Sequence, residues 1–315
     1  MPESPRLVAP LQRILYLKRL PPFSTLPGSD LAAIAEHLQE RFFSAGSVLM
    51  DEGRPVSAVY FVIEGALDVH RHGRFVGRVG PGLAVGGLGL LARDPEGAQV
   101  TAASDTLALE LDADTLLEVF EDRFPILHHI LRDISRQIID YVVRLRLDPA
   151  ARVPGSPMGG NPDRELDIVE RIFFLRQMQV FQRASINALA ELTRSMNQVH
   201  FEPGVTLWRE GELGPSLYLI LSGTVRASSE ATGLLFRPGP GFPLGAHEAV
   251  AEVPRWYDAV TETRLAALQG NAEALIDVFE DNFEMAMDYL AALSQGLLEI
   301  LESRPAEEAR TAANL

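Results

Sequence analysis

The sequence repeats itself once along nearly its whole length, and this duplication is the feature that most constrains the fold. At a spacing of 158 residues, identical residues of the two copies pair without a gap. The pairs include Phe23 and Phe181, Phe43 and Phe201, Gly46 and Gly204, Glu52-Gly53 and Glu210-Gly211, Tyr60 and Tyr218, and Gly65 and Gly223. At 159 residues, VFEDRF (119–124) pairs with VFEDNF (278–283). Because self-similarity at a fixed spacing indicates a repeated structural unit, the sequence predicts two copies of one domain.

Length and local composition give the domain boundaries. The chain has 315 residues, of which 47% are hydrophobic and 23% charged, as in ordinary soluble proteins of two domains. Residues 148–163 contain four prolines and three glycines and almost no large apolar residue, which is typical of a linker. We therefore predict a first domain over 1–147, a linker over 148–165, a second domain over 166–303 and a polar tail over 304–315.

Charge and residue types argue against several classes of function. The formal charge of −15, from 28 basic and 43 acidic residues, repels nucleic acid over most of the surface. The absence of cysteine excludes disulfides, thiol catalysis and thiolate metal sites. No nucleophile–base pattern and no histidine pair with a third ligand nearby is present. We expect neither an enzyme, nor a metal site, nor a nucleic-acid partner.

No targeting or membrane segment is predicted either. The longest uncharged stretch, residues 79–92, is too short to span a bilayer and is interrupted by glycines. The first 20 residues carry charges through their only apolar stretch, unlike a secretory signal. The expected compartment is the cytoplasm.

Each copy changes its hydrophobic period twice. Leu31, Ile34 and Leu38 lie at helical spacing, and residues 42–111 form short β-rich runs separated by glycines. After Asp112 or Asp114 as an N-cap, an apolar stripe from Leu127 to Leu145 predicts a long helix. The pattern indicates an α+β domain with a β-sandwich or β-roll between helices.

These elements and motifs resemble the cyclic nucleotide-binding domain. The first copy has Gly46, then Glu52-Gly53, then Tyr60-Phe61-Val62-Ile63-Glu64-Gly65, and the second has Gly204, Glu210-Gly211 and Tyr218 to Gly223, which are similar to the family's roll pattern. The resemblance covers nearly the whole chain. It implies two tandem domains, each an eight-strand jelly roll flanked by N-terminal helices and a long C-terminal helix. Both long helices are then expected to meet as an intrachain pseudo-dimer, with a further homo-oligomer possible.

The resemblance also implies where a ligand binds, in the family's phosphate-binding cassette. There, helix N-terminal amides and an arginine hold the cyclic phosphate, and a glutamate accepts a hydrogen bond from the ribose. In the first copy the cassette begins at Val85-Gly86, Gly87 stands at the glutamate position and Glu96 at the arginine position. We expect this degenerate cassette not to bind a cyclic nucleotide in the family's way.

The second cassette leaves two interpretations open. It begins at Leu244-Gly245, Ala246 stands at the glutamate position, and Glu248 comes two residues later. Arg255 follows a proline as the family's arginine does, whereas a count back from Val260 puts Trp256 at that position. These five residues, Gly245, Ala246, Glu248, Arg255 and Trp256, are the candidate ligand contacts. Trp256 and Tyr257 fill the pocket, stack on a base or anchor a partner protein.

Two hypotheses of function follow. The first is a regulatory or scaffolding protein that signals through contacts with an unidentified regulatory protein and carries no cofactor. The second is a sensor of a cyclic nucleotide or another small anion, bound mainly by the second domain. The family's transcription factors end in a DNA-reading domain, and the short segment after Leu301 leads us to expect none here.

Overall fold

The computed structural model describes residues 9–152 and 164–303, and each copy of the repeat forms a β-roll between helices. Parts of the predicted linker and the predicted polar tail, residues 153–163 and 304–315, lie outside the described residues. In the first copy the elements are helices α1 (Pro10–Leu17) and α2 (Gly28–His37), strands β1 (Gln39–Phe43), β2 (Val48–Met50), β3 (Ala58–Glu64), β4 (Leu67–Arg71), β5 (Arg74–Val79) and β6 (Ala84–Val85), helix α3 (Gly87–Leu91), strands β7 (Gln99–Ala102) and β8 (Thr106–Asp112), and helices α4 (Ala113–Asp122) and α5 (Phe124–Leu145).

The second copy has the same order of elements. They are helices α6 (Ile168–Gln177) and α7 (Ile186–Arg194), strands β9 (Asn197–Phe201), β10 (Thr206–Trp208), β11 (Ser216–Ser222), β12 (Val225–Ser228), β13 (Leu235–Phe236) and β14 (Pro243–Leu244), helix α8 (Ala246–Ala251), strands β15 (Asp258–Thr261) and β16 (Leu265–Asn271), and helices α9 (Ala272–Asp281) and α10 (Phe283–Glu302). The predicted tandem domains of eight strands with flanking helices are thus confirmed.

Each roll consists of two antiparallel four-stranded sheets. The first has the strand orders β1-β8-β3-β6 and β2-β7-β4-β5, and the second has β9-β16-β11-β14 and β10-β15-β12-β13. Equivalent strands pair in equivalent registers, since Val48 lies opposite Thr101 in the first roll and Thr206 lies opposite Val260 in the second. The duplication in sequence is therefore a duplication of hydrogen-bonded topology.

Side-chain caps start the helices that follow each roll. The carboxylate of Asp112 accepts a hydrogen bond from the backbone N–H of Thr115 at 2.9 Å, and the side chain of Asn271 accepts one from Ala274 at 2.7 Å. Such caps satisfy N–H groups that the first helical turn leaves without partners. Of the two predicted N-caps, Asp112 is the one used.

The chain forms two compact units whose limits fall inside the long helices. Of the described residues, unit 1 contains 9–130 and 293–303, and unit 2 contains 131–152 and 164–292. Most of α5 thus belongs to unit 2, and the C-terminal half of α10 belongs to unit 1. The predicted boundaries at 147 and 166 and the predicted pseudo-dimer stay predictions.

The two rolls have cores of different character. The first is aliphatic, built around Val62, Leu67 and Val100. The second is aromatic, and its buried rings are Trp208, Tyr218, Phe236, Phe242 and Tyr257. Both cores exclude water, but the larger rings of the second fill more of its interior.

One pair of glycines is required by a close backbone approach. Gly65 and Gly223 have φ of +89° and +88°, and a Cβ at either position would lie 2.3 Å from a backbone carbonyl oxygen, that of Asp105 or of Arg264. Gly204 has nearly the same φ, +86°, but a Cβ there would meet nothing within 4 Å.

We predict that Gly223→Ala destabilises the protein by at least about 3 kcal/mol, because the clash adds to the strain of a left-handed backbone. Gly204→Ala is the matched control and should cost only about 1–2 kcal/mol, the strain alone. Urea unfolding of both variants measures the difference. Equal losses would mean that the carbonyl of Arg264 yields freely.

Candidate functional site

The first cassette lacks both charged ligands of the family's pattern. Gly86, with φ of +95°, is the N-cap residue of α3, and Gly87 is its first residue. A Cβ at Gly87 would meet only a methyl of Val59 at 3.9 Å, an ordinary van der Waals contact. The side chain of Glu96 is 62% exposed and lies 3.5 Å from the imidazole of His72. A carboxylate at this position repels a phosphate.

Arg71 holds the loop that contains Glu96. Its Nη1 donates to the carboxylate of Asp94 at 2.5 Å and to the carbonyl oxygen of Gly97 at 2.9 Å, and its guanidinium also forms an ion pair with Glu302 of α10. The Arg71 side chain is 13% exposed. The arginine of this region therefore fixes the loop, and it lies on β4 rather than at the cassette's arginine position.

The sheet register decides which residue of the second cassette stands at the arginine position. In the first roll Val100 lies opposite Met50, and in the second Ala259 lies opposite Trp208. The backbone N–H of Gly211 donates to the carbonyl oxygen of Arg255, just as that of Gly53 donates to Glu96.

Arg255 is therefore the counterpart of Glu96, and the count that assigned the position to Trp256 is wrong by one residue. The count fails because Val260 is not the strand residue that corresponds to Val100. β10 has a tryptophan where β2 of the first copy has a methionine. The residue that faces this tryptophan on β15 is an alanine, which leaves room for the ring.

The guanidinium of Arg255 is buried and surrounded by backbone carbonyls. Its Nη1 donates to the carbonyl oxygen of Gly245 at 2.7 Å, and its Nη2 donates to those of Gly214 and Ser216 at 2.9 and 2.5 Å. The guanidinium carbon also lies 4.4 Å from the ring centroid of Trp208, a cation–π contact. These contacts compensate a charge that would otherwise be very costly to bury.

The other predicted ligand contacts of the second cassette are buried too. Ala246 begins α8, and Glu248 in the same turn has a carboxylate 3.8 Å from Nη1 of Arg255. Burial raises the pKa of Glu248, whose carboxyl group also forms a hydrogen bond with Trp256. Glu248 thus approaches Arg255 from a position two residues after the one at which the family has its glutamate.

The aromatic pair after Arg255 divides between the interior and the surface. Tyr257 is 2% exposed, its hydroxyl is hydrogen-bonded to the backbone of Gly245, and burial raises its pKa. Trp256 is partly exposed and stacks on Phe236 with ring centroids 5.4 Å apart. A partner could reach Trp256 but not Tyr257, whose position favours a packing role.

A small cavity remains beside this cluster within unit 2. Its volume is about 90 Å³, and its walls include Gly245, Glu248, Trp256 and Tyr257. An apolar cavity of about 150 Å³ holds one benzene molecule. The volume enclosed here is smaller than that of a cavity for benzene.

Two residues of this site were not predicted from the sequence. Trp208 forms the cation–π contact with Arg255. In the sequence, only its alignment with Met50 of the other copy indicated that it lies at this site. His247 follows Ala246 and lines the cavity, and its Nδ1 is buried with no hydrogen-bond partner among the described residues. Burial lowers the pKa of His247 to about 4.

We predict that His247 makes stability fall in acid. The unfolded imidazole, with a pKa of 6.5, binds a proton before the folded one does, so the free energy of unfolding decreases from about pH 7 to pH 4 by roughly 3 kcal/mol. Urea unfolding of His247→Gln should lack this part of the loss. Glu248 is present in both proteins, so its opposite contribution cancels in the comparison. An identical loss in the variant would contradict the prediction.

The described residues contain neither a cluster of metal-binding side chains nor a membrane-spanning helix. No group of three or more histidine, aspartate or glutamate side chains there is arranged to hold a metal ion. No helix in the described part of the chain is long and apolar enough to cross a membrane.

Curated relatives match one or both copies of the repeat. The CRP-like cAMP-activated global transcriptional regulator of Mycobacterium tuberculosis is 32% identical over 127 residues, which are 39% of this chain and 57% of the relative. The cAMP-dependent protein kinase regulatory subunit of Debaryomyces hansenii is 22% identical over 235 residues, 74% of this chain and 43% of that protein. The chain thus spans about half the length of these relatives.

Solved structures and a family model match as well. The regulatory domain of the Toxoplasma gondii PKA, solved with cAMP, is 21% identical, with 91% of this chain and 97% of that chain covered and a TM-score of 0.35. The family model described as "Cyclic nucleotide-binding domain" matches residues 40–123 and 198–282, which together are just over half of the chain and lie one in each copy. The chain belongs to the cyclic nucleotide-binding domain family, with two such domains in tandem.

Proposed function

We propose that this chain is a non-enzymatic regulatory or scaffolding protein that acts through contacts with a partner protein, and that neither cassette binds a cyclic mononucleotide. The proposal rests on the contacts that the guanidinium of Arg255 already makes within the protein. Its Nη groups already donate to three backbone carbonyls, and its face is covered by Trp208. A phosphate would have to displace these contacts.

The residue types in the first cassette support the same proposal. With Gly87 and Glu96 in place of a glutamate and an arginine, a bound nucleotide would lose two charge-assisted hydrogen bonds of about 1.5–3 kcal/mol each. Glu96 adds repulsion. The loss corresponds to a factor of roughly a hundred to ten thousand in affinity before that repulsion is counted.

The partner surface that we favour includes Trp256. Its ring is partly exposed although it stacks on Phe236, and large aromatic side chains are common anchors in protein interfaces. Kinase regulatory subunits are among the relatives of this chain, and a regulatory role toward another protein is consistent with them.

A second candidate function is a sensor of a small anion at the second domain. It is supported by Arg255, since β15 pairs with β10 in the same register in which β7 pairs with β2 in the first roll. It requires the guanidinium to leave the carbonyls of Gly214, Ser216 and Gly245 when the ligand binds.

We predict that isothermal titration of the protein with cAMP or cGMP gives no binding at micromolar concentrations. The double variant Gly87→Glu with Glu96→Arg should restore measurable binding to the first domain, because a Cβ at Gly87 would meet only a methyl of Val59 at an ordinary contact distance. The single variant Glu96→Ala is the control, since it removes repulsion but supplies no ligand, and should remain silent.

Micromolar binding by the unchanged protein would contradict the proposal. If Arg255→Met then removed that binding, the sensor function would replace the proposed regulatory function. Failure of the double variant to bind would mean that the first pocket is closed for reasons other than its two missing charges.

A further inference from the structure

The outer side of helix α6 is apolar and exposed. Six of the ten residues of this helix are large and apolar, and two of them, Phe174 and Leu175, are buried in the interior of unit 2. The other four are exposed or partly exposed, and they are Ile168, Val169, Ile172 and Phe173. Helical spacing places these four on one side of the helix. A helix that is apolar on both sides is normally covered on both sides.

The start of α7 adds a further apolar side chain next to the end of α6. Ile186 is the first residue of α7 and is 65% exposed. Nη2 of Arg176 in α6 donates to the carbonyl oxygen of Ala184 at 2.8 Å, which ties the end of α6 to the turn before α7. We call the exposed residues Ile168, Val169, Phe173 and Ile186 the α6 face. They leave roughly 400 Å² of apolar surface, and exposed patches of that size usually mark an interaction site.

The equivalent surface of the first copy is less apolar. The residues that correspond at the spacing of 158 are Ile168 and Pro10, Val169 and Leu11, Phe173 and Leu15, and Ile186 and Gly28. Two positions of the α6 face are therefore isoleucines where the first copy has proline and glycine, which contribute little apolar side chain. Leu15 on α1 is exposed like Phe173, so the first copy provides a matched comparison.

The charges around the α6 face suit contact with a second copy of this chain. The formal charge of −15 makes two copies repel each other over most of their surface, but residues 164–194 contain five arginines and only four acidic residues. Glu165 and Asp167 lie before α6, whereas Arg176 and Arg183 lie at its end and beyond it. When two such helices pack antiparallel, the acidic end of each one faces the basic end of the other.

We propose that the α6 face binds the α6 face of a second copy of this chain, with the two α6 helices antiparallel about a two-fold axis. A patch that is complementary to itself is what a two-fold dimer requires. The apolar side chains of two faces bury about 800 Å², and the charged ends bring the total near the roughly 1,000 Å² that a specific interface needs. The dimer is therefore weak and reversible. This inference does not depend on the proposed regulatory function.

Sedimentation equilibrium of the full chain tests the contact. The unchanged protein should show a monomer–dimer equilibrium at micromolar concentrations. Phe173→Glu should raise the dissociation constant at least about tenfold, because it places a charge in an apolar contact. Leu15→Glu is the matched control, since it adds the same charge at the equivalent exposed position of α1 and should leave the dissociation constant unchanged. Circular dichroism checks that both variants are folded.

Cysteine crosslinking tests the orientation of the two helices. The chain has no cysteine, so introduced cysteines report only their own contacts. An antiparallel arrangement brings Val169 of one copy beside Phe173 of the other. The double variant Val169→Cys with Phe173→Cys should therefore form disulfide-linked dimers under mild oxidation. The control Leu11→Cys with Leu15→Cys on α1 should remain monomeric.

The proposal is overturned if the unchanged protein stays monomeric at hundreds of micromolar, if Phe173→Glu weakens the dimer no more than Leu15→Glu does, or if both cysteine pairs crosslink equally. Cosedimentation with vesicles of anionic lipid gives a further test. Binding of the monomer that Phe173→Glu abolishes would mean that a membrane surface covers the α6 face, which also overturns the proposal.

Discussion

The buried guanidinium of Arg255 and its contacts with backbone carbonyls hold the cassette of the second domain in place. A charge with 3% exposure is stable only where donors and acceptors are matched, and three carbonyls together with the face of Trp208 supply that match. The carbonyls belong to the start of the cassette and to the segment that leads into β11. The arginine thus joins two parts of the roll from within, and a residue type that binds phosphate elsewhere in the family acts here as an internal crosslink.

Under the proposed function, the two copies depart from a conventional ligand site in opposite ways. In the first, Glu96 replaces the arginine and the side chain lies exposed to solvent. In the second, the arginine is kept, and the pocket around it has filled with rings, because Trp208 stands where the first copy has Met50 and Tyr257 stands where it has Ala98. The first pocket has the wrong charge, and the second has little space.

Much of the fold could be predicted from the sequence because its signals are local or repeated. Gly65 and Gly223 mark the same turn in both rolls, Asp112 caps the helix that follows the first roll, and the duplication itself gives the number of domains. The sequence could not show at which residue each long helix passes from one compact unit to the other, since the apolar stripe of α5 continues along its full length. That residue is decided by the tertiary contacts of each helical turn.

The site was harder to predict than the fold because its decisive contact joins distant residues. The spacing of 159 residues pairs Arg255 with Glu96, but the contacts of its guanidinium with the carbonyl oxygens of Gly214 and Ser216, 41 and 39 residues earlier in the chain, exist only in the folded protein. The sequence nevertheless predicted that Gly87 and Glu96 replace the two ligands of the first cassette, since that segment aligns with the family's pattern without a gap.

Whether the donors of Arg255 are committed to the backbone carbonyls can be measured by NMR of its guanidinium group. With ¹⁵N-labelled arginine and Arg255→Lys for assignment, we expect Nη protons that exchange slowly with water and do not shift when cAMP is added at millimolar concentration. Rapid exchange, or a shift of the Nη signals on addition of cAMP, would show instead that the guanidinium is free to bind a phosphate.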